Sequence, residues 1–285
     1  MSIHYKSIDA VDNISREDFQ SEYLRASKPL VVKGLSEKWP AREKWTFDYI
    51  KSKVGNRIVP LYDNSKVSPT KKVNDPVAKM PFNDYLDLIQ NQPTDLRIFL
   101  FNILSHVPEL CQDFSVPDIS DGFLENYPMM FFGGGGSNVF LHFDIDMSHV
   151  FHTQFQGRKK VLLFDPEYSR NLYHVPFGVH NLEEIDLENP DFENYPALKG
   201  VRGLTYDLEP GDTLFIPSGW WHMMKYQEGG FALSQRSMSS SWLTRLEGLY
   251  NLFVLRQADN FARKLFGYRW LTYKESLAMK RASLL

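Results

Sequence analysis

At 285 residues, with 43% hydrophobic content and a formal charge of −3, the chain can bury a sizeable core in one large domain or two small ones. The 32 Lys and Arg set against 35 Asp and Glu give no global attraction for nucleic acid or anionic lipid, and no run approaches the ~18–20 apolar residues of a membrane span. The single cysteine, Cys111, excludes an intramolecular disulfide framework, and the start "MSIHYKSIDAVDN" lacks the pattern of a secretory leader, so a cytoplasmic setting is expected.

The first part of the chain, about 1–125, reads as mixed. Ser15 followed by an acidic turn opens a helix, and "KPLVVKGL" reads as a short strand. Thr46 and Gly55 bracket a helix over about Phe47–Val54. "RIVPLYD" reads as a strand, "MPFNDYLDLIQ" as a helix and "LRIFLFN" as a strand. From about 126 to 240, short strand-like runs rich in Phe, Val, Leu and Trp follow one another with Gly and Pro between them, which points to a sandwich or barrel. A polar stretch between Tyr168 and Gly203 reads as a loop over one barrel end, a candidate lid with Tyr173 and His174 on a substrate wall. After 241, helical spacing runs to Gly267, and a second helix is expected from Tyr273 to about Ser283. Those helices present a broad apolar face with Trp242, Leu246, Phe253 and Phe261, suited either to packing on the barrel or to a homodimer.

Chemistry concentrates in "FLHFDID" at 140–146. Along a strand, His142, Asp144 and Asp146 share one face, with successive members ~6.5–7 Å apart at Cα. Burying them there is costly unless something compensates the charge. A metal ion does so, and His222, just after the turn "IPSG", is the best third ligand. Two histidines and one carboxylate with open positions is the arrangement of non-heme Fe(II) oxygenases. A hydrogen-bonded His–Asp pair is the plainer alternative. His149 and His152, on the next strand, read as groups around the site rather than ligands, and Asp146 as a rim residue. "GGGG" at 133–136 lacks the Gly-Lys-Ser/Thr of a phosphate loop and reads as a flexible connection or a place where a substrate backbone passes. In "QGRKKVLLFDP", Lys159 is either solvated with Lys160 at a strand end or turned inward, where it would need an anionic partner such as a dicarboxylate.

The ordered set "HFD", "QFQGRKKVLLFDP", "NPDFENYP", "PGDTLFIPSGWWH" and "GGFALSQ" resembles the JmjC and cupin-like 2-oxoglutarate oxygenases, and most of all the asparaginyl-hydroxylase branch that modifies hypoxia-inducible factor. The resemblance implies a mainly β, double-stranded β-helix (jelly-roll) fold over 1–240, with 241–285 as a helical extension and possible dimerisation element. It implies Fe(II) held by His142, Asp144 and His222, with 2-oxoglutarate and O2 as co-substrates and Lys159 on the distal carboxylate. The chemistry implied is conversion of 2-oxoglutarate to succinate and CO2 with hydroxylation of a protein side chain or small molecule. The alternative is a cupin metalloprotein that does not use 2-oxoglutarate: a dioxygenase, an isomerase or a binding module. Three positions depart from the pattern. Val139 stands where a hydroxyl is expected, Phe99 where a tyrosine is, and Arg236 where an asparagine is. Arg236, Gln154, Thr153 and Ser148 are the residues expected to compensate at the co-substrate.

Overall fold

The computed structural model describes residues 2–65, 75–99 and 101–285, so Leu100 of "LRIFLFN" lies outside the described residues. Local capping sets the early helices. The Ser15 hydroxyl accepts the Asp18 N–H at the head of helix Arg16–Asp18, which continues as a π turn over Phe19–Leu24. The Thr46 hydroxyl accepts the Tyr49 N–H at the head of helix Phe47–Val54, and Gly55, at φ +69°, ends it in a conformation that suits glycine. Helix Phe82–Asn91 buries Phe82, Tyr85, Leu86 and Ile89 along one stripe.

In chain order the strands are β1 (His4–Ser7), β2 (Asp9–Val11), β3 (Leu30–Val32), β4 (Ile58–Tyr62), β5 (Ala78–Pro81), β6 (Arg97–Ile98), β7 (Met129–Gly133), β8 (Asn138–His142), β9 (His149–Gln156), β10 (Lys159–Phe164), β11 (Arg202–Leu208), β12 (Thr213–Ile216), β13 (Trp221–Tyr226) and β14 (Gly230–Ser237). One wall of the barrel holds β12, β9, β14 and β7 side by side, and the other holds β11, β10, β13 and β8. The chain crosses between walls at nearly every step, and this interleaving is a jelly roll. The amino-terminal part lengthens both walls. β1 runs parallel to β11, β2 and β3 continue past β12, and β6, β4 and β5 continue past β7.

The largest apolar cluster crosses the boundary drawn at about 125. Trp45, Ile50, Leu86 and Ile89 from the first part pack with Phe132, Phe155, Phe231 and Leu233 of the barrel. The Phe231 ring lies 5.5 Å from that of Phe47 and 5.2 Å from that of Phe132. "GGGG" is not an open connection. A Cβ at Gly134 would fall 2.5 Å from the Thr94 carbonyl oxygen, so the close backbone is the chain's own.

Two further expectations need correcting. The 168–203 segment is no free lid: Leu172, Tyr173, Val175, Leu182, Leu187 and Leu198 are buried against Leu162, Phe164 and Trp221 on the outer side of the β10–β13 wall. After the barrel, helix Trp242–Tyr250 runs through a π turn, Asn251–Leu255, into helix Arg256–Phe266. Gly267, at φ +52°, then starts helix Tyr268–Ala282, earlier than Tyr273. Lys274 and Asp259, both buried, join the last two helices at 2.7 Å.

We propose that residues 1–240 unfold as one unit. Phe231→Ala, which removes a fully buried ring shared by both parts, should cost about 3–5 kcal/mol in urea unfolding and keep a single transition. Two separated transitions in wild-type protein would contradict the proposal.

Candidate metal centre

His142 ends β8 and His222 lies near the start of β13, and the two are direct partners across that antiparallel pair. Their ring centroids are 4.2 Å apart. A register shift follows between His222 and Met224, a local irregularity of the kind that re-aims a side chain. The strand does not continue through "FDID" as expected. After His142 the chain enters a turn in which the Met147 N–H donates to the Asp144 carbonyl at 3.0 Å, with Met147 at φ +52°. This turn brings Asp144 back to the histidines. One ligand atom from each of His142, Asp144 and His222 lies within 4.8 Å of the others.

The donor set fits a divalent metal. The His142 Nδ1 lies 2.9 Å from the Phe140 carbonyl oxygen, and the His222 Nδ1 lies 3.1 Å from the Trp220 carbonyl oxygen. A carbonyl only accepts, so each Nδ1 carries the hydrogen and each Nε2 keeps its lone pair for a metal. Burial, with His142 nearby, holds His222 down at about 4, so it is neutral at physiological pH. Burial pushes Asp144 up, but Arg236 and the two histidines more than offset this and hold it at about 2, ionised and ready to ligate.

Arg236, on β14, reaches the same place. Its Nη2 donates to Asp144 Oδ1 at 2.8 Å, and its Nη1 donates to Asp146 Oδ1 and Oδ2 at 3.0 and 3.2 Å and to the Ser148 hydroxyl at 2.9 Å. The guanidinium is therefore engaged by protein carboxylates rather than held out for a co-substrate, and Asp146 and Ser148 serve it.

The three candidate ligands open onto a cavity of about 120 Å³. That is near the scale of a cavity that admits benzene, about 150 Å³. Lys159 lies on its wall, almost fully buried, whereas Lys160 faces outward and pairs with Glu188 at 2.9 Å. Among the described residues, the Lys159 Nζ meets no carboxylate. It lies 3.0 Å from His152 Nε2 and 4.2 Å from the centre of the Tyr226 ring. The His152 Nδ1 in turn lies 2.7 Å from the Ser234 hydroxyl. Burial presses Lys159 and His152 towards their neutral forms. Val139 and Phe99 also line the cavity, bringing apolar surface where polar groups were expected.

Several expected site residues lie elsewhere. The Thr153 hydroxyl pairs with that of Thr213 at 2.9 Å, off the cavity wall, because alternation on β9 turns it away from His152. Gln154 shares His152's parity but sits further along, where its side-chain nitrogen donates to the Gln156 and Gly157 carbonyls at 2.6 and 3.1 Å. His149 accepts the Ser218 N–H at 3.0 Å on the opposite side of β9 from His152. Tyr173 is buried in the outer cluster, and His174 Nε2 bonds the Gly178 carbonyl at 2.8 Å, so neither lines the cavity. Sequence reasoning missed Tyr226, Ser234 and Arg97 on the cavity wall. The alternation of "WHMMKY" puts Tyr226 on His222's face and was the available signal for it.

With this geometry in place, comparison with known proteins gives a consistent result. The profile of the cupin-like domain family matches residues 16–238. The chain belongs to the cupin-like domain family. Among cupin-like relatives, it is 30% identical over 239 residues to "Lysine-specific demethylase 8" of Danio rerio, covering 80% of this chain and 58% of the relative. It is 26% identical over 246 residues to "tRNA wybutosine-synthesizing protein 5" of Gallus gallus, covering 80% of this chain and 76% of that one. It is also 26% identical over 257 residues to "Bifunctional arginine demethylase and lysyl-hydroxylase psr-1" of Caenorhabditis elegans, with 82% and 62% covered. Two of these names are of a demethylase and of a demethylase and lysyl-hydroxylase, and none specifically supports the hypoxia-factor branch.

The unpaired lysine gives a stability test for the cavity. A lysine whose pKa is lowered on folding leaves the folded state with fewer protons than the unfolded chain, so the penalty shrinks as pH rises towards ~10.4. Lys159→Met should therefore raise the urea midpoint at pH 7, with the gap to wild type narrowing by pH 10. A pH-independent gap, or a lower midpoint at pH 7, would count against this account.

Proposed function

We propose that this cupin-like protein is an Fe(II)- and 2-oxoglutarate-dependent oxygenase acting on a protein side chain. The single observation that carries the reading is the joining of two features in one cavity. Both candidate histidine ligands are fixed as Nε2 donors beside an ionised Asp144, and a buried Lys159 without a carboxylate partner lies on the same wall. His222 and Lys159 pair with Leu163 and Tyr226 respectively, four residues apart along β10 and β13, or about 13 Å at Cα. The long lysine side chain shortens that gap to a span suited to a small dicarboxylate.

When bound, iron would supply the oxygen chemistry that the protein's own groups cannot. His142, Asp144 and His222 would hold it, leaving positions open for small ligands. Lys159 would take the far carboxylate, with Tyr226 and Ser234 at hand for neutral hydrogen bonds. The apolar wall from Val139, Phe99, Val150 and Ile216 would limit water around the reacting groups. The assignment to a protein side chain draws on relatives named for lysine demethylation and lysyl hydroxylation. Hydroxylation is the step common to this reading, and demethylation would be the same step on an N-methyl carbon, which then leaves as formaldehyde while the nitrogen takes the hydroxyl proton.

A second reading, a cupin metalloprotein that does not use 2-oxoglutarate, is favoured by one observation: Val139 and Phe99 bring no hydrogen-bonding group to the cavity. Succinate formation separates the two. Fe(II)-dependent turnover of 2-oxoglutarate is expected, falling to background in His142→Ala and Asp144→Ala. Lys159→Ala should raise the 2-oxoglutarate KM by about 30-fold or more, corresponding to the ~2 kcal/mol lost with one partner of a buried charge pair. Turnover independent of Lys159 would favour the second reading.

Binding should also take up a proton. Burial favours the neutral lysine, and an arriving carboxylate favours the charged one, so affinity falls as pH rises. Calorimetry of 2-oxoglutarate binding in buffers of different ionisation enthalpy checks this, and a buffer-independent heat would refute it.

We propose, too, that a second copy of the chain covers the helical extension. Trp242 (66% exposed), Phe253 (70%) and Phe261 (65%) lie open there with Leu246, Leu249 and Tyr250, exposed apolar side chains of the kind that mark an interaction surface. Sedimentation at micromolar concentration should give a dimer that Phe253→Glu converts to monomer. A monomeric wild type would end this proposal.

A further inference from the structure

The helical extension comes against the candidate metal centre at Gly248. Gly248, in helix Trp242–Tyr250, is buried, and a Cβ there would fall 2.8 Å from the Asp146 carbonyl carbon and closer still to its oxygen. The helix axis thus comes against the turn that carries Asp144, at a distance only glycine permits. The carboxylate of the same Asp146 is gripped by both Arg236 Nη1 contacts, and the other guanidinium nitrogen holds Asp144 Oδ1. The helix is also tied back to the strand bearing Arg236. Ser241 caps its first turn by accepting the Thr244 N–H, and Arg245 Nε donates to the Ser239 carbonyl, two residues past β14, at 2.5 Å. Helix, Asp146, Arg236 and β14 form a closed ring around Asp144.

We propose that Gly248 and Arg236 are positioning residues for Asp144: the helix fixes Asp146, Asp146 fixes Arg236, and Arg236 holds one oxygen of Asp144 so that the other faces the two histidines. This rests on reading His142, Asp144 and His222 as a metal site. It makes the helix after the barrel part of the metal centre, whether or not the same helices also meet a second copy. Arg236, with both terminal nitrogens engaged, acts here without touching co-substrate.

Gly248→Ala separates this from simple helix packing. Alanine is the better helix former, so propensity alone favours the variant, whereas the close approach to Asp146 predicts displacement of the turn. Apo protein would be titrated with Mn(II), followed by the electron paramagnetic resonance of the free ion, and with Co(II), followed by its visible absorption. Wild type should bind one ion per chain. Gly248→Ala and Arg236→Met should weaken Mn(II) binding by about 10–100-fold, the usual cost of losing a partner that orients a ligand, and should alter the Co(II) bands. Arg236→Lys, which keeps a charge but cannot bridge two carboxylates, should recover part of the affinity. Circular dichroism establishes that each variant is folded. If folded Gly248→Ala and Arg236→Met both bind Mn(II) within twofold of wild type with unchanged Co(II) bands, the positioning role is refuted. If wild type binds no Mn(II), or His142→Ala binds it as tightly, the metal reading itself fails and this inference falls with it.

Discussion

The direct pairing of His142 with His222 across β8 and β13 is the constraint on which the rest of the site depends. It forces two imidazoles to within 4.2 Å at a buried strand end, an arrangement with no value to an apolar barrel. Each ring spends its Nδ1 hydrogen on a backbone carbonyl two residues back, so the two remaining lone pairs face one place. Lone pairs gathered without a donor are costly in a low-dielectric interior. Asp144 beside them adds a charge that Arg236 answers on one oxygen. What remains uncompensated, two nitrogen lone pairs and one carboxylate oxygen, is the donor set that the proposed divalent cation would take.

Much of this was legible in the sequence because barrel strands write themselves in alternation and punctuation. "TLFI" became β12, and "GGFALSQ" supplied most of β14. His142 and His222 stood out as polar residues in apolar runs. Asp144 was found for a reason that proved incomplete: a shared strand face was assumed, whereas a turn with Met147 in the left-handed region delivers the carboxylate. The local pattern named a residue that lies beside the two histidines, and backbone geometry beyond the strand decided how it arrives.

The misreadings trace to partners distant along the chain, to strand position and to irregular spacing. Arg236 sits 92 residues from Asp144, and nothing near either residue announces their ion pair. Thr153 and Gln154 were expected to compensate at the co-substrate, but side-chain parity sent the first to Thr213, and position along the strand sent the second to nearby carbonyls. The 168–203 segment looked solvated because its polar residues dominate by number. Its few leucines and Tyr173, irregularly spaced, pack on the outside of the barrel wall, and irregular spacing leaves no period to read.

The lengthened walls carry a consequence for how the molecule is made. β1 lies beside β11, with His4 opposite Arg202, and β3 lies beside β12, with Leu30 opposite Phe215. A segment that leaves the ribosome early must wait for roughly two hundred residues before its neighbours exist, and domains emerge at only about 5–20 residues per second. Until then β3, three buried apolar residues in a row, has β2 on one side and an open edge where β12 will pair. High sequence separation between partners slows folding, so the longer walls come at the cost of slower assembly.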